Sequence, residues 1–545
     1  MKVLLLQPPI RDFYDTEIRL QPLGLCMLKA TLKKEMPHIE VVVKDYHQGH
    51  GRKTVAYPPE LSYLKIYYQY PDASPFSMFH HFYHFGASYE DLARDVTLEK
   101  PDIVGISSLF SAYSCEALAC ARKIKHHLNV PVLMGGPHVS ALPMEVLKDP
   151  NVDYIIRGEG EQPLVQFLRA MESERPMSEV PNLGFKHEGK IILNPMSNPP
   201  DITVLPWPDF SDFPVNRYLF EKKPLCFIMT SRGCPHHCTF CSVHKTFGKV
   251  FRRRTTEDII SEIKERYGQG YRVFDFEDDN LTFDRKDFYN LLLRLKTEIP
   301  LEDARFVAMN GISYMSLDYE LLEMMKSIGF KSLNLSLVSA NVETLLKVQR
   351  PHTVGKFLEV VRSAHDLGFD TVCYQILGLP SENLDDIIRT MTLLASLPVL
   401  IGVSIFYLVP GCAISREFYP MSREDCTRSR STAMAVESSR VNRDDLYTLF
   451  KTARIINFLK GLPIRGKNAS LKEALDNALM LGKRQKTGSK LLSNLLHDKK
   501  LYTAAGNDYI PLQRFRTNLF FRVLESMSHI RTQTGGIIDI SFNLT

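Results

Sequence analysis

Cysteine is scarce in this chain. Ten among 545 residues are too few for the disulfide framework of a secreted scaffold, and seven of them (Cys26, Cys115, Cys120, Cys226, Cys373, Cys412 and Cys426) are scattered. Excess charge is scarcer still: 67 Lys+Arg against 62 Asp+Glu leave a net +5, too little to indicate a nucleic-acid partner, and none is expected. Long hydrophobic runs are also missing. The N-terminus, Met1-Lys2-Val3-Leu4-Leu5-Leu6-Gln7-Pro8-Pro9, has four consecutive apolar residues behind one positive charge, whereas a signal peptide needs about 7–15. It reads as a first β-strand. Arg389 and Arg416 bracket 26 uncharged residues, longer than the about 20 that a membrane helix needs. Pro398 and Gly402 break that stretch, and 401–407 reads as a buried strand, so no membrane partner is expected. Tryptophan occurs once, at Trp207, as a packing anchor. The rest is ordinary: 44% hydrophobic and 24% charged residues describe a soluble, cytoplasmic globular protein. At roughly 100–200 residues per domain the length holds about three or four domains.

Strand and helix patterns alternate along most of the chain, giving an α/β protein. In residues 1–165 the segments 3–6, 41–44, 103–106, 132–134 and 154–156 are rich in Val, Ile and Leu, as strands buried on both faces must be. Helical spacing fills 23–34, 89–99 and 115–128. This predicts a Rossmann-like parallel sheet, with a ligand beyond the carboxyl ends of its strands. Residues 57–86 depart from the pattern, with ten Tyr or Phe and with His80, His81 and His84 among them. They read as an aromatic insertion packed on a neighbouring domain or, alternatively, as a lid over a flat ligand. Residues 166–225 read as a linker, with a hairpin near 184–193 and then Pro199, Pro200, Pro206 and Pro208. From 226 to 420 the alternation resumes, with strands at 226–230, 273–277, 305–308, 332–336, 371–376 and 401–407. Helices at 256–267, 285–295, 319–328, 355–367 and 384–395 complete a partial (β/α)6 barrel of the TIM type. Residues 421–545 form a mostly helical segment with 21 Lys+Arg against 11 Asp+Glu. This tail is +10 and the rest of the chain −5. Lys483-Arg484-Gln485-Lys486 within it reads as a solvated face, or as a contact for an anionic substrate or partner.

The remaining three cysteines stand together in Ser231-Arg232-Gly233-Cys234-Pro235-His236-His237-Cys238-Thr239-Phe240-Cys241-Ser242, just after the first barrel strand. Three closely spaced thiolates in a loop can hold one metal centre. A [4Fe–4S] cluster normally takes four cysteines, so three leave one iron open for a ligand. A structural zinc site completed by His244 is the alternative.

The C-x3-C-x2-C spacing after a barrel strand, with the aromatic Phe240 before the last cysteine, resembles the radical S-adenosylmethionine (SAM) enzymes. The resemblance implies that Cys234, Cys238 and Cys241 hold a [4Fe–4S] cluster whose open iron chelates SAM. It also implies that an electron from a flavodoxin- or ferredoxin-type donor cleaves SAM to a 5′-deoxyadenosyl radical. Phe276-Glu277-Asp278-Asp279-Asn280-Leu281 ends the second barrel strand, where the family places acids near the SAM ammonium. Asp278 and Asp279 are therefore expected to bind cofactor, the alternative being a helix-capping turn ending at Asp284. Gly378-Leu379-Pro380-Ser381-Glu382 and Tyr407-Leu408-Val409-Pro410-Gly411 resemble the family's segments after the fifth and sixth strands. After the fourth strand the family carries Glu-Ser. Here Ser336-Leu337-Val338-Ser339 has Val338 at the acidic position, leaving Ser336 as the SAM-contact candidate.

The N-terminal sheet lacks the G-x-G-x-x-G of nicotinamide binders. Glycine-bearing loops instead end three strands: Gly105-Ile106-Ser107-Ser108-Leu109, Met134-Gly135-Gly136-Pro137-His138 and Arg157-Gly158-Glu159-Gly160-Glu161. Glycines there let backbone approach a large flat ligand; tight βα turns would explain any one loop, less well all three. Together the loops resemble the cobalamin-binding domain fused to many radical SAM enzymes. That resemblance implies cofactor contacts from Gln7, Pro8, Ser107, Ser108, Gly135, Gly136, His138, Gly158, Glu159 and Gly160. The family's D-x-H-x-x-G cobalt-ligand motif is missing: Asp45-Tyr46-His47-Gln48-Gly49-His50 has His50 where glycine is needed and follows the wrong strand. His138 then reads as a hydrogen-bonding group to the nucleotide tail or backbone, with cobalt ligation as the alternative. The expected activity is methyl transfer from methylcobalamin to an unactivated carbon of a small molecule or peptide. Oxidation, cyclisation or rearrangement with the same cofactors is one alternative, and a non-catalytic cobalamin- or metal-binding module is another.

Overall fold

A computed structural model describes residues 1–18, 20–418, 421–464, 466–506 and 508–540. The N-terminal apolar segments form the parallel strands β1 (Lys2–Gln7), β2 (Glu40–Asp45), β3 (Ile103–Ser107), β4 (Val132–Gly135) and β5 (Tyr154–Ile156). They are followed by an antiparallel hairpin, β6 (Leu183–His187) and β7 (Lys190–Leu193). The sheet order is β7-β6-β5-β4-β3-β1-β2. The strand order therefore reverses between β1 and β3, the switch point at which open α/β sheets hold ligands. The hairpin belongs to this sheet through Tyr154–Phe185 register. Helix Glu161–Ser173 also packs here, against helix Leu23–Glu35. The stretch expected as a linker from 166 thus begins as packed structure, because its alternating apolar residues have a sheet edge to cover. The extended connector is confined to the proline-rich part, where Trp207 Nε1 donates to Asp258 Oδ1 at 2.8 Å.

The second half holds six parallel strands: β8 (Lys223–Ile228), β9 (Val273–Phe276), β10 (Arg305–Val307), β11 (Ser332–Val338), β12 (Asp370–Leu377) and β13 (Leu400–Ile405). They fall into two hydrogen-bonded groups, β8-β9-β10 and β11-β12-β13. Helices between them are capped as their sequences dictate. Asp284 accepts from Asp287 N ahead of Arg285–Glu298, and Asn383 with Asp386 forms a capping box ahead of Leu384–Ala395. The uncharged stretch divides between that helix and β13. No helix among the described residues is long and apolar enough to cross a membrane.

The aromatic segment 57–86 is packed against its neighbours. Its strand Phe82–Phe85 pairs with the N-terminal segments Ile10–Asp12 and Arg52–Val55 in a small separate sheet, and the 3-10 helix Pro59–Ile66 with the residues after it meets the C-terminal region. Tyr63, Tyr67 and Tyr68 donate to Ala433 O, Asp444 Oδ1 and Thr432 O, and Phe76 meets Phe458 edge-on. The C-terminal helix Arg443–Lys460 lies along β13, whose open edge is capped by side chains. Asn457 bonds both Ile401 N and Ile401 O at 2.9 and 2.8 Å, and Ser431 Oγ accepts from Ile405 N. A sheet edge covered in this way cannot pair with another chain.

Candidate functional site

The carboxyl ends of β1, β3, β4 and β5 open on a cavity of about 470 Å³, within the usual range for small-molecule sites. One wall comes from the N-terminal sheet: Gln7, Gly105, Ser107, Gly135, Gly136, Gly158, Glu159 and Gly160. The facing wall, Met229, Ser231, Arg232, Glu277 and Asp279, comes from the ends of β8 and β9. Two features make the sheet wall a cradle. Gly136 has φ +109°, and a Cβ there would lie 2.7 Å from Ser108 O; only glycine brings backbone this close. Gln7 is buried, with Nε2 held by Leu20 O and Asp45 Oδ1 at 2.8 and 3.1 Å. Its Oε1 has no hydrogen-bond partner among the described residues, and neither has the buried Ser108 Oγ. Buried polar atoms left open beside a cavity are what a polar ligand would satisfy.

Three expected contacts, Pro8, Ser108 and His138, are not among the residues lining this cavity. Pro8 is buried outside its lining. His138 is buried too, with its N–H on Ser108 O and its Nδ1 3.0 Å from Ser111 Oγ. Burial pulls its pKa down to about 4, so the ring is neutral and engaged inside the fold.

Across the cavity, Ser231-Arg232 pairs antiparallel with Arg252-Arg253 and leads directly into the cysteine loop. Gly233 (φ +82°) turns the chain there, because a Cβ would meet Val250 O at 2.5 Å. The loop is pinned by Gly233 N donating to Asp279 Oδ2 (2.9 Å), Thr239 N to Val348 O and Ile414 N to Thr239 O (both 3.0 Å). Asn280 Nδ2 lies 3.5 Å from Cys234 Sγ. Burial pushes the Cys238 thiol up, and the charge and hydrogen bond of Arg350 oppose it. Cys241 is pushed up to about 11 by burial, with Cys238 and Cys234 adding to the shift. The thiols are thus neighbours. Yet among the described residues no three Cys, His, Asp or Glu side chains converge on a single-ion position.

The acidic turn after β9 divides its labour. Asp278 is buried and spent: Thr230 N and Oγ1 donate to it at 3.2 and 2.9 Å, and Ser231 Oγ donates as well. It ties β8 to β9 by accepting from three donors at the strand end. Asp279 faces the cavity, its pKa raised to about 6 chiefly by burial. Ser336 is half-buried on β11, and its carbonyl accepts from Arg350 Nη2 at 2.8 Å. Phe240 packs against the cluster of Val338, Leu345, Val348, Leu379 and Phe406. Val338 sits at a break in the β11–β12 register with φ +71°, a conformation a β-branched residue adopts only under constraint.

Sequence reasoning missed the ion cluster that joins the two walls. Arg232, two residues before Cys234, donates to Glu159 Oε2 and, at 2.6 Å, to Glu161 Oε1. Arg252 also holds Glu159, together with Pro200 O and Phe247 O. Glu159, expected as a ligand contact, therefore spends its carboxylate on two guanidiniums, although it still lines the cavity. The acids of Gly158-Glu159-Gly160-Glu161 and the basic residues flanking the cysteine loop were visible as complementary charges. Which acid would meet which base was not.

Residues 228–394 match the Radical SAM superfamily model and residues 77–168 the B12 binding domain model. A Pyrococcus horikoshii protein named as an uncharacterized methyltransferase is 28% identical over 315 residues, covering 56% of this chain and 66% of that protein. Cytidylyl-2-hydroxyethylphosphonate methyltransferase of Streptomyces wedmorensis is 26% identical over 424 residues, covering 70% and 73%. In fold, the chain is similar to the radical S-adenosylmethionine methyltransferase TsrM from Kitasatospora setae, solved with cobalamin and a [4Fe–4S] cluster. That likeness has a TM-score of 0.59 at 17% identity, covering 76% of this chain and 77% of the other.

Proposed function

We propose that this chain, a radical SAM protein that also carries a B12-binding domain, is a methyltransferase acting on an unactivated carbon. When bound, the [4Fe–4S] cluster with SAM supplies a 5′-deoxyadenosyl radical and cobalamin supplies the methyl group. Such a carbon is neither acidic nor nucleophilic, so no arrangement of side-chain acids and bases would suffice alone. The work left to the chain is to hold, orient and enclose. Cys234, Cys238 and Cys241 would hold the cluster. Asp279 would accept a cationic ammonium at the cavity wall, Phe240 would brace the loop from behind, and the half-buried Ser336 would face the barrel lumen. Gln7, Ser107, Gly135, Gly136, Gly158 and Gly160 would receive the corrin, with Ser108 Oγ beneath. In this reading residues 1–165 and 226–420 are the cobalamin and radical domains, and 421–545 closes the open edge of the barrel. An external one-electron donor of flavodoxin or ferredoxin type is the partner it requires, in the cytoplasm.

The observation that carries the reading is the shared cavity, which has the glycine-bearing strand ends on one side and the approach to the cysteine loop on the other. Reconstituted, reduced protein should produce S-adenosylhomocysteine alongside 5′-deoxyadenosine in the presence of substrate. Production of 5′-deoxyadenosine without S-adenosylhomocysteine would replace transfer by oxidation, cyclisation or rearrangement. Absence of SAM cleavage altogether would leave a binding module.

A further inference from the structure

Behind β13 lies a second cavity of about 490 Å³. Residue parity separates most of its β13 lining from the lumen, Leu400 at the start of the strand excepted. Tyr374 pairs with Ser336 and with Gly402, and these share the accessible lumen face. Ile401 and Val403, which line the second cavity, point to the opposite face. The other walls come from helix Arg443–Lys460 and from the start of helix Lys483–Asp498.

The chemistry of this cavity is one-sided. No acidic side chain lines it, whereas Arg454 and Arg484 both do. Among the described residues neither guanidinium has a hydrogen bond or an ion pair; Arg454 has only the Phe450 ring, 5.4 Å from its central carbon. The nearest acid felt by Arg454, Asp72, is already engaged by Lys451, Ser74 N and Ala504 N. Asn457 is likewise committed to Ile401. Burial, and then the charge of Arg484, pull the pKa of Arg454 down against the weaker influence of Asp72 and Asp15, as expected for two cations facing one space that no acid lines. The helix carrying Arg484 is drawn in close. Gly488 sits in its interior, where glycine is disfavoured by about 1 kcal/mol relative to alanine, and a Cβ there would overlap Phe458 and Pro75 at 2.6 Å each. Both of those residues line the cavity.

We infer that this cavity is a binding site for a small organic anion, its phosphate or carboxylate held between Arg454 and Arg484 and its apolar body laid against Phe450 and Phe458. Two guanidinium forks suit a planar or tetrahedral oxyanion in charge-assisted, bidentate fashion, and ring walls favour an aromatic or aliphatic body over a bare ion. The Lys483-Arg484-Gln485-Lys486 run thereby has one residue turned to a specific task.

The test is calorimetric titration of the full chain, as purified, with phenyl phosphate, benzoate and inorganic phosphate at low ionic strength. Because it reads binding heat and no turnover, its outcome is independent of the methyltransferase reading. Phenyl phosphate or benzoate should bind saturably at one site, the tighter of the two naming the head group, and inorganic phosphate should bind more weakly than phenyl phosphate. Arg454→Gln should weaken binding at least about tenfold, as loss of a charge-assisted pair does. Arg484→Gln, an exposed position whose change leaves the fold intact, should weaken it several-fold. No saturable heat with either organic anion, or equal affinity in the wild type and the Arg454→Gln/Arg484→Gln double variant, would overturn the site. Inorganic phosphate binding as tightly as phenyl phosphate would overturn the apolar contribution.

Discussion

Arg232→Met tests whether the link between the two walls of the main cavity is an ion cluster of the kind described. The side chains of Arg232, Glu159 and Glu161 are 6%, 4% and 5% exposed, so the charges depend on one another rather than on water. Methionine matches the arginine stem in length and removes the cation. Glu159 keeps Arg252, but Glu161 loses its only ion pair among the described residues. An uncompensated buried charge of this kind costs about 3–5 kcal/mol. The pH dependence should also change sign. In the wild type, burial pushes the Glu161 carboxyl up, but the charge and hydrogen bond of Arg232 bring it below its ordinary 4.5. Its contribution is therefore present above pH 4.5 and lost as the pH falls below it. In the variant burial, the largest influence, is opposed only by the backbone hydrogen bond of Glu161 and the charge of Arg252; the folded-state pKa rises above the unfolded value, and the variant regains stability as the pH is lowered. Urea unfolding of the anaerobically purified chain between about pH 5 and 8 reads both effects. Adding Glu161→Leu should recover most of the loss, since an apolar replacement of a buried pair is close to neutral. A single variant within about 1 kcal/mol of wild type, with an unchanged slope against pH, would refute the reasoning and mean that water reaches the cluster.

Three further outcomes are expected. The triple variant Cys234→Ala/Cys238→Ala/Cys241→Ala should lose the iron of the reconstituted protein, about four atoms per chain for a [4Fe–4S] centre; iron analysis checks this, and retention at the wild-type level would remove the cluster assignment. Gly136→Ala puts a Cβ 2.7 Å from Ser108 O at φ +109°, a strain of about 1–3 kcal/mol, and should reduce corrin absorbance after purification with hydroxocobalamin. Glu382 is buried, accepts from Ser339 Oγ at 3.1 Å, and is raised to about 8 chiefly by burial. Its proton is therefore bound more tightly in the folded chain, and stability should fall as the pH rises from about 4.5 to 8. Glu382→Gln, which keeps the acceptor, should abolish that component and stabilise the protein at pH 8 by about 1–3 kcal/mol, measured by urea midpoints across that range.

The legible features were those written in local sequence. β5 and the helix Leu384–Ala395 occur at their expected bounds, and other strands of the two sheets differ by one to three residues at their ends, because Val, Ile and Leu runs and capping residues act within one element. Asp284, weighed as a cap, is one. Glycine placement at three strand ends was also legible, since positions that cannot carry a Cβ are fixed by backbone alone. The destinations of polar side chains were less so. Asp278 and Asp279 are adjacent in sequence, yet one is consumed by Thr230 and Ser231 while the other faces the cavity, a difference set by strand register. Glu159 and His138 stood in the right loops but bond to Arg232, Arg252 and Ser111, partners 27 to 93 residues away in the chain.

The sequence alone determined the elements, the cysteine loop and the uneven division of charge between the chain and its last 125 residues, because each rests on residue type and spacing. Tertiary structure decided which sheet the hairpin after residue 182 joins, that the aromatic segment is packing against the C-terminal helices, and that two arginines of the basic tail face one cavity that no acid lines. It also decided that Arg232 and the pair Glu159 and Glu161 meet across the main cavity. The physical reason is common to all four: burial makes a polar or aromatic group depend on neighbours brought together only by folding, and those neighbours are set by strand order and docking, which no local pattern encodes.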